Sequence, residues 1–421
     1  MDRVTLQQIA AADARLVAAA KEVKVLSHLA WPARLAAEFL AHWRAGDPRL
    51  PEVPLRAQRF DGNIAELRAL MDECDADEPI GRYLLRTARS YVAAARMVER
   101  IGTAEFTDRS IELYGTPRDR IGPTEVTNLE AAEHFLALTD DFPVVGEVPD
   151  EVCLRPEYVA EQLRQRIAAV FLDHPIAVEV DGEMASKAAA GAQRVRIRGG
   201  TCFSEQDVPQ LAEHEVFVHS LTATNGREQP VLRSMGLGAP RTTATQEGLA
   251  TFAELITNAM DLSRLRRLAL RVKAIDMGLQ GADFIDVFKF FLAEGQSQEE
   301  SFHSAARVFR GGDVRGKLVF TKDVVYLQGL IAVHTFFLKA IHQGKPEYIR
   351  DLFAGRMTVG DVLDLHAYFR NGTIAPPRYE PTWIKNQPTF AAFLVYSIFN
   401  TRLTVAMNLA DFHEPLPEPS S

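Results

Sequence analysis

The sequence predicts a mainly α-helical protein of the α+β class, with one small β-sheet directly before a helix that carries two histidines. Three observations support this prediction. Apolar residues recur at helical spacing over most of the chain, alternating polarity is concentrated near its middle, and prolines and glycines separate these segments. The chain has 421 residues, 47% of them hydrophobic and 24% charged, which is the balance of a folded globular protein.

Three regions are predicted along the chain. Residues 1–150 form a helical N-terminal region, residues 151–405 a main domain that holds the two histidines, and residues 406–421, rich in proline, a disordered tail. Helical spacing of apolar residues predicts helices at Val25–Trp43 with a break at Pro32, Ile64–Met71, Tyr83–Ile101, Leu129–Leu138 and Tyr158–Phe171.

Two short segments before the histidines alternate in polarity and are predicted to be strands. They are Ile176–Val180 and Arg194–Arg198. The second segment has one apolar and one cationic face, which favours a solvated position at the edge of the sheet. A contact of these arginines with an acidic peptide tail is the alternative.

The helix with the two histidines is predicted to begin near Ser204, where Asp207 gives the spacing of a capping box, and to end at about Leu221. Turns are predicted at Thr224–Pro230 and Gly236–Pro240. After a helix that carries Glu247, further helices are predicted at Leu265–Met277, Phe284–Ala293, Glu299–Phe309, Val324–Ile341, Tyr348–Phe353 and Val359–Tyr368.

The spacing of the two histidines requires a particular helix geometry if both are to bind one metal ion. His214 and His219 are five residues apart, which on a regular α-helix separates them by about 140°. A π-type turn, with hydrogen bonds between residues five apart, would bring the two imidazoles to one side, and such turns are frequent at functional sites. We therefore expect a distorted helix between Glu215 and His219.

The residue types in this stretch suit a hydrolytic zinc site, which takes three His or carboxylate ligands and keeps a fourth position for water. Glu247 on the next helix is the candidate third ligand, and Glu254, seven residues on and on the same helix face, is a candidate to orient an imidazole. Glu215 directly follows His214, the place of a general base. From this pattern alone, a solvated helix with two unrelated histidines is an equally good interpretation.

Several separate motifs resemble those of the QEGLA-motif zinc peptidases. These motifs are His214–His219, Asn225–Arg227, Gly236–Arg241, Thr242–Ala250, Arg307–Gly311 and Phe320–Leu327. The family includes the microtubule-associated tyrosine carboxypeptidases of animals and bacterial proteins described as flavohaemoglobin-expression-modulating, and the resemblance extends roughly over Tyr158 to Arg370.

The resemblance implies a helical, zincin-like metallopeptidase fold in which residues 151–405 are the catalytic domain. It implies that His214, His219 and Glu247 bind Zn²⁺, that Glu215 is the catalytic glutamate, and that the substrate is a peptide or protein C-terminus. It does not establish tubulin as that substrate.

A carboxypeptidase also needs a cation for the terminal carboxylate of its substrate and a donor for the developing oxyanion. Arg241, Arg307, Arg310 and Lys322 lie in the motif-like segments and are candidates for the cation. Tyr326, one helical turn after Lys322, is the candidate donor. For each of these residues a surface charge or a helix cap is the alternative role.

Composition limits the partners and the location. The formal net charge of −9, from 47 basic and 56 acidic residues, disfavours binding to nucleic acid. Three scattered cysteines, Cys74, Cys153 and Cys202, are too few for a disulfide framework and favour a reducing, cytoplasmic compartment. We expect neither a signal peptide nor a membrane span, because no apolar run has the required length.

Two other functions stay open. The first is a non-catalytic regulator that binds a peptide or partner and keeps a structural metal, although such a site has no need of Glu215. The second is metal-dependent hydrolysis of a non-peptide amide or ester, because the same metal, water and glutamate serve that chemistry equally well.

Overall fold

Helices form most of the protein, as the spacing of its apolar residues predicts. The structure, a computed structural model, describes residues 3–140, 153–182, 184, 187–386 and 388–395. Within these residues a mainly helical fold with one three-stranded sheet confirms the predicted fold class. The predicted tail at 406–421 and the predicted domain boundary near residue 150 lie outside the described residues.

In its described part the N-terminal region consists of helices and the loops that join them. Its helices are α1 (Arg3–Ala20), α2 (Val25–His28), α3 (Arg34–Arg44), α4 (Asp61–Glu73), α5 (Pro79–Glu99), α6 (Ala104–Tyr114) and α7 (Asn128–Asp140). The chain is non-helical around Pro32, as predicted, because proline removes a backbone donor and restricts the residue before it.

The small sheet follows helix α8 (Pro156–Val170) and consists of β1 (Ala177–Asp181), β2 (Ala188–Ala190) and β3 (Arg194–Arg198). The strand order is β1-β3-β2, with β1 parallel and β2 antiparallel to β3.

The prediction that Arg194–Arg198 lies at the edge of the sheet is wrong, because β3 is the central strand. Two of its arginines are neutralised by the neighbouring strand: Arg194 pairs with Glu179 and Arg196 with Asp181, both at 3.1 Å. The other edge of β3 is covered by β2, whose three alanines give no alternating pattern by which it could be recognised.

A disulfide bond joins Cys153 to Cys202, contrary to the expectation that the three cysteines are too few and too scattered for disulfide bonding. The two residues are 49 positions apart in sequence, and a pair of backbone hydrogen bonds between the adjacent Leu154 and Phe203, at 2.8 and 3.1 Å, brings them together. Cys74 is free. The number of cysteines therefore no longer favours a reducing compartment. A cytoplasmic location stays a prediction.

The predicted metal-binding helix is one continuous rod of three parts. These are α9 (Asp207–Leu211), a π-helix (Ala212–Ser220) and α10 (Leu221–Arg227). The capping geometry is as predicted: the amide of Ser204 donates to the Asp207 carboxylate at 2.9 Å, and the amide of Asp207 donates to Ser204 Oγ at 3.2 Å.

The helix continues past Leu221, where the sequence predicts its end, because the turn-like residues of α10 are buried. The side-chain amide of Asn225 donates to the carbonyls of Phe353 and Tyr379, both at 2.8 Å. Gly226 lies so close to Met235 that a Cβ atom would be 2.2 Å from the Met235 carbonyl oxygen. These residues fix packing inside the fold instead of forming a turn.

Helices also predominate in the described residues after α10. They are two 3₁₀ turns (Arg233–Gly236 and Pro240–Thr242), α11 (Thr243–Ile256), α12 (Leu262–Gln280), α13 (Phe284–Ala293), α14 (Gln298–Phe309), a 3₁₀ turn (Thr321–Val324), α15 (Val325–His342), α16 (Glu347–Asp351), α17 (Val359–Asp364), α18 (His366–Arg370) and α19 (Thr382–Lys385).

The N-terminal helices and the metal-binding helix share one hydrophobic core. This core includes Leu16 of α1, Leu84 of α5, Val216 of the π-helix and Leu249 of α11, all nearly or fully buried. A second core joins α3 and α7 to α12, α13 and α14. The N-terminal helices therefore support the metal-binding helix directly.

One segment, Thr321–His342, is long and apolar enough to cross a membrane, with a mean hydropathy of 1.6. This overturns the expectation that no apolar run has that length. A core helix satisfies the same criterion, and within this segment Val333 and Phe337 are fully buried and Lys322 is nearly so. Packing inside the fold accounts for the apolar character of this segment.

Helices α11 and α15 approach each other at two glycines, Gly248 and Gly329. A Cβ atom on Gly248 would lie 2.2 Å from the carbonyl carbon and oxygen of Gly329, and a Cβ atom on Gly329 would lie 2.1 Å from the carbonyl oxygen of Ala244. Glu247 precedes the first glycine, so this backbone contact fixes its position relative to α15.

We predict that Gly248→Ala destabilises the protein by about 3 kcal/mol, since the added methyl group meets backbone and cannot be accommodated by a rotamer change. Denaturant unfolding measures this loss. Gly62→Ala in α4 is the matched control, because a Cβ atom there has no neighbour within 4 Å. It should stabilise by up to about 1 kcal/mol. Equal effects of the two changes would contradict the close contact.

Candidate metal centre and active site

The two histidines of the motif lie side by side on the π-helix. The ring centroids of His214 and His219 are 4.8 Å apart, and the rings are nearly perpendicular, at 86°. The helix has π geometry over nine residues, Ala212–Ser220, so the predicted distortion is confirmed and is longer than a single bulge. Two histidines five residues apart can therefore bind the same metal ion.

Glu247 of α11 completes a three-residue cluster. Its Oε2 is 3.3 Å from His214 Nε2 and 3.6 Å from His219 Nε2, and the three candidate ligand atoms lie within 4.8 Å of one another. Ligands at about 2.1 Å from a tetrahedral metal lie about 3.4 Å apart, so the two distances from Glu247 Oε2 fit one divalent ion. Glu247 Oε2 is buried and accepts no hydrogen bond from any described residue, which leaves it free to bind such an ion.

Lys322 holds the other oxygen of the Glu247 carboxylate. Its Nζ donates to Oε1 at 2.7 Å, and both side chains are largely buried. Burial raises the pKa of Glu247, but the Lys322 ammonium and the two imidazoles outweigh burial and hold that pKa well below its ordinary value. The carboxylate is therefore charged, and the lysine orients Oε2 towards the histidines.

Glu254 orients His214, as predicted for a residue behind a metal ligand. The distance from His214 Nδ1 to Glu254 Oε1 is 2.5 Å. Glu254 is fully buried, and Arg264 donates to both of its oxygens at 3.0 Å. Burial raises the pKa of Glu254, but Arg264 and His214 lower it to about 2. A permanent carboxylate at Nδ1 leaves Nε2 directed at the metal centre.

Arg356 supports the second histidine, His219, and no sequence motif predicts this role. A π-helix shifts the backbone hydrogen-bond pattern, and the carbonyl of His219 accepts a hydrogen bond from Arg356 Nη2 at 2.9 Å. Burial lowers the pKa of this guanidinium. No described carboxylate lies within 4.0 Å of it, although the charges of Glu215 and Glu247 act on it.

Glu215 is half-buried beside His214 and is not committed to any other group. Its carboxylate makes neither a hydrogen bond nor an ion pair in the part of the chain that the structure describes. Its charge contributes to the raised pKa of His214, which places it close to the imidazole. A carboxylate next to a metal ligand and free of internal partners can accept a proton from a water molecule.

Tyr326 lies between the metal centre and a group of cations. Arg307 Nη2 donates to its hydroxyl oxygen at 3.2 Å, and Lys322 Nζ is 3.4 Å from the same atom. The tyrosine is 7% exposed. The structure therefore brings Tyr326 close to Glu247 through Lys322, and its donation to an oxyanion stays a prediction.

The four candidate substrate cations have partners inside the protein. Lys322 binds Glu247, and Arg307 binds Asp323 through two hydrogen bonds. Arg241 binds both oxygens of Asp361, at 2.6 and 2.8 Å. Arg241 therefore anchors the start of α17, and its predicted contact with a substrate has no support in this geometry.

Arg310 is the least constrained of these cations. Its guanidinium is 3.9 Å from Asp323 and its buried Nε has no partner within the described ranges.

Each residue of the Gln246–Ala250 motif has a structural role. Gln246 Oε1 accepts a hydrogen bond from Thr222 Oγ1 at 2.9 Å, which ties α11 to α10. Glu247 faces the histidines, Gly248 permits the contact with α15, and Leu249 and Ala250 are fully buried.

We predict that binding of a divalent cation at neutral pH releases a proton. Burial lowers the pKa of His214, but its contacts with the carboxylates of Glu247 and Glu254 outweigh burial and raise that pKa to about 10. The metal competes with this proton, so metal affinity should rise about tenfold per pH unit between pH 6.5 and 8.

Calorimetry with Zn²⁺ in two buffers of different ionisation enthalpy measures the proton release. Glu254→Gln, which removes one of the groups that raise this pKa, should release fewer protons. Metal binding by the unaltered chain without proton release would contradict the prediction.

One protein family matches most of the chain. A family model described as microtubule-associated tyrosine carboxypeptidase matches residues 37–402, which is more than half of the chain and includes the whole metal centre. No curated protein matches the chain. The description of the family implies a carboxypeptidase-type function. The chain belongs to the microtubule-associated tyrosine carboxypeptidase family.

Proposed function

We propose that this protein is a zinc-dependent carboxypeptidase that removes a C-terminal residue from a peptide or protein. The observation that carries the proposal is the convergence of His214, His219 and Glu247, with the uncommitted Glu215 beside them. Membership of a carboxypeptidase family supports peptide hydrolysis over other reactions.

Zinc is the proposed metal because its usual hydrolytic sites use two imidazoles and one carboxylate. When bound, zinc would polarise the scissile carbonyl and make the attacking water more acidic. His214, His219 and Glu247 would hold it, and Lys322 and Glu254 would keep two of these ligands in the required orientation.

Glu215 is the proposed general base and acid. It would take a proton from the attacking water and pass this proton to the leaving amine, so that the amine departs in neutral form. Tyr326 is the proposed donor to the negative charge that develops on the carbonyl oxygen. Its position is set by the hydrogen bonds with Arg307 and Lys322.

The alternative functions are less well supported. A structural metal site is normally closed by four protein ligands, whereas the three candidate ligands here stand next to an unpaired carboxylate. Hydrolysis of a non-peptide amide or ester uses the same groups, and family membership favours the peptide. The family description names tyrosine, so peptides that end in tyrosine are the first substrates to test.

Metal content tests the ligand set. We predict about one zinc per chain by elemental analysis after loading and desalting, and loss of this zinc in His219→Ala and Glu247→Ala. Glu205→Ala is the control, because Glu205 is exposed near the start of the same helix. Full zinc occupancy in either ligand variant would show that its side chain does not bind the metal.

Glu215→Gln tests the mechanism. The variant should retain zinc and lose turnover of a tyrosine-terminated peptide by about 10²–10⁴-fold, since glutamine cannot accept the proton. Glu213→Gln, on the other side of His214, is the matched control and should retain most of the activity. If Glu215→Gln hydrolyses the peptide at the unaltered rate, the general-base assignment fails.

A further inference from the structure

Three arginines surround a single aspartate next to the metal centre. This arginine cluster consists of Arg271 of α12, Arg307 of α14 and Arg310 just after α14, and all three guanidinium groups lie within 4.0 Å of Asp323. Their side chains are 15, 23 and 17% exposed, so they are mostly buried and still reachable from solvent.

The cluster carries more positive than negative charge. Arg307 uses both oxygens of Asp323, with one hydrogen bond from Nη2 at 2.9 Å and a shorter one from Nε. Arg271 and Arg310 are 3.8 and 3.9 Å from Asp323, beyond hydrogen-bond distance. Neither makes a hydrogen bond to a carboxylate among the described residues, and the Nε of Arg310 is buried without a partner.

Two such guanidinium groups in a buried place are unfavourable without a counter-ion. Burial and the charge of Arg307 lower the pKa of Arg271 to about 9 and that of Arg310 to about 10. Both groups are still charged at neutral pH. An anion that entered the cluster would therefore offset its excess positive charge and accept hydrogen bonds from Arg271 and Arg310.

The cluster is connected to the metal centre through two side chains. Arg307 donates to the Tyr326 hydroxyl at 3.2 Å, Lys322 Nζ lies 3.4 Å from that hydroxyl, and Lys322 donates to the ligand Glu247 at 2.7 Å. The guanidinium of Arg271 lies 5.1 Å from the centre of the Tyr326 ring. Tyr326 and Lys322 thus separate the arginines from the place where hydrolysis is proposed.

The chemistry of the anion follows from this arrangement. In a peptide chain, the terminal carboxylate is one residue, about 4 Å, beyond the last peptide carbonyl. Guanidinium groups bind carboxylates with two parallel hydrogen bonds, a geometry that a lysine cannot reproduce.

We propose that Arg271 and Arg310 bind the terminal α-carboxylate of the substrate. Arg307, held by Asp323, is a positioning residue. This inference rests on the proposed carboxypeptidase function and specifies that only the last residue of a chain with a free carboxylate is removed.

The first experiment compares two peptides of one sequence that end in tyrosine, one with a free carboxylate and one with a C-terminal amide. The zinc-loaded protein should cleave the acid with a kcat/KM at least about a hundredfold higher, because the amide leaves the buried arginines unpaired. Equal kcat/KM values for the two peptides would overturn the proposal.

Two arginine variants test whether Arg271 and Arg310 cause the preference for the free carboxylate. Arg271→Gln and Arg310→Gln should each lower kcat/KM for the acid by about 100-fold, mainly through KM, and bring the ratio of acid to amide close to one. Lys273→Gln on the same helix is the matched control, because its ammonium lies over the Phe290 ring and outside the cluster. A ratio that both arginine variants leave unchanged would assign the discrimination to other residues and refute the proposal.

A binding measurement separates this inference from the proposed function. Glu215→Gln loaded with zinc should bind the acid and not the amide in calorimetry. If neither peptide is cleaved by the unaltered chain but the acid binds selectively, the carboxylate site stands and the carboxypeptidase proposal fails. If both are cleaved and bound equally, the carboxypeptidase proposal stands and the carboxylate site fails.

Discussion

The metal centre depends on the backbone hydrogen-bond pattern of one short helix. Two histidines five residues apart cannot share a metal on a regular α-helix, and the nine-residue π-helix is what brings their rings to 4.8 Å. A π-helix is intrinsically less favourable than an α-helix, so it persists where surrounding groups hold it in place. Its core-facing residues Val216 and Val218 are fully buried, and Arg356 satisfies the His219 carbonyl.

Charge is organised around this helix in two short chains of ion pairs. Arg264, Glu254 and His214 form one, and Lys322 and Glu247 form the other, and the two meet at the imidazole nitrogens where a metal would bind. Each buried charge in these chains has an opposite charge or a hydrogen bond next to it, which is the condition for keeping it charged in a low-dielectric interior. These contacts fix the orientation of His214 and Glu247.

Much of this centre could be predicted from the sequence, because it depends on spacing along single helices. The distance from His214 to His219 predicts the distorted helix, and the position of Glu254 two turns after Glu247 predicts its place behind a ligand. The predictions fail where the determining contact is made by a distant part of the chain. Arg194–Arg198 has the pattern of an edge strand, and its pairing with both β1 and β2 makes it central.

Contacts between distant parts of the chain also explain the other differences between the predicted and the observed structure. Cys153 and Cys202 are joined across 49 residues by a backbone pairing that no local pattern encodes. Lys322 lies in a recognisable motif, yet its partner Glu247 is 75 positions away, so its role as a support for a metal ligand is visible only in the fold. The family match over residues 37–402 identifies the kind of protein. The three-dimensional contacts show which side chains hold the candidate metal ligands in place.

The contact between Gly248 and Gly329 also has a thermodynamic consequence. It joins, backbone to backbone, the helix that supplies a metal ligand to the helix that carries Tyr326. Because no side chains lie between the two backbones at this contact, a substrate bound beside Tyr326 in the proposed site would also restrain Glu247. Linkage is reciprocal, so the free energy by which the metal favours peptide binding is the free energy by which the peptide favours retention of the metal. Under the proposed function, abundant substrate would therefore strengthen retention of the metal.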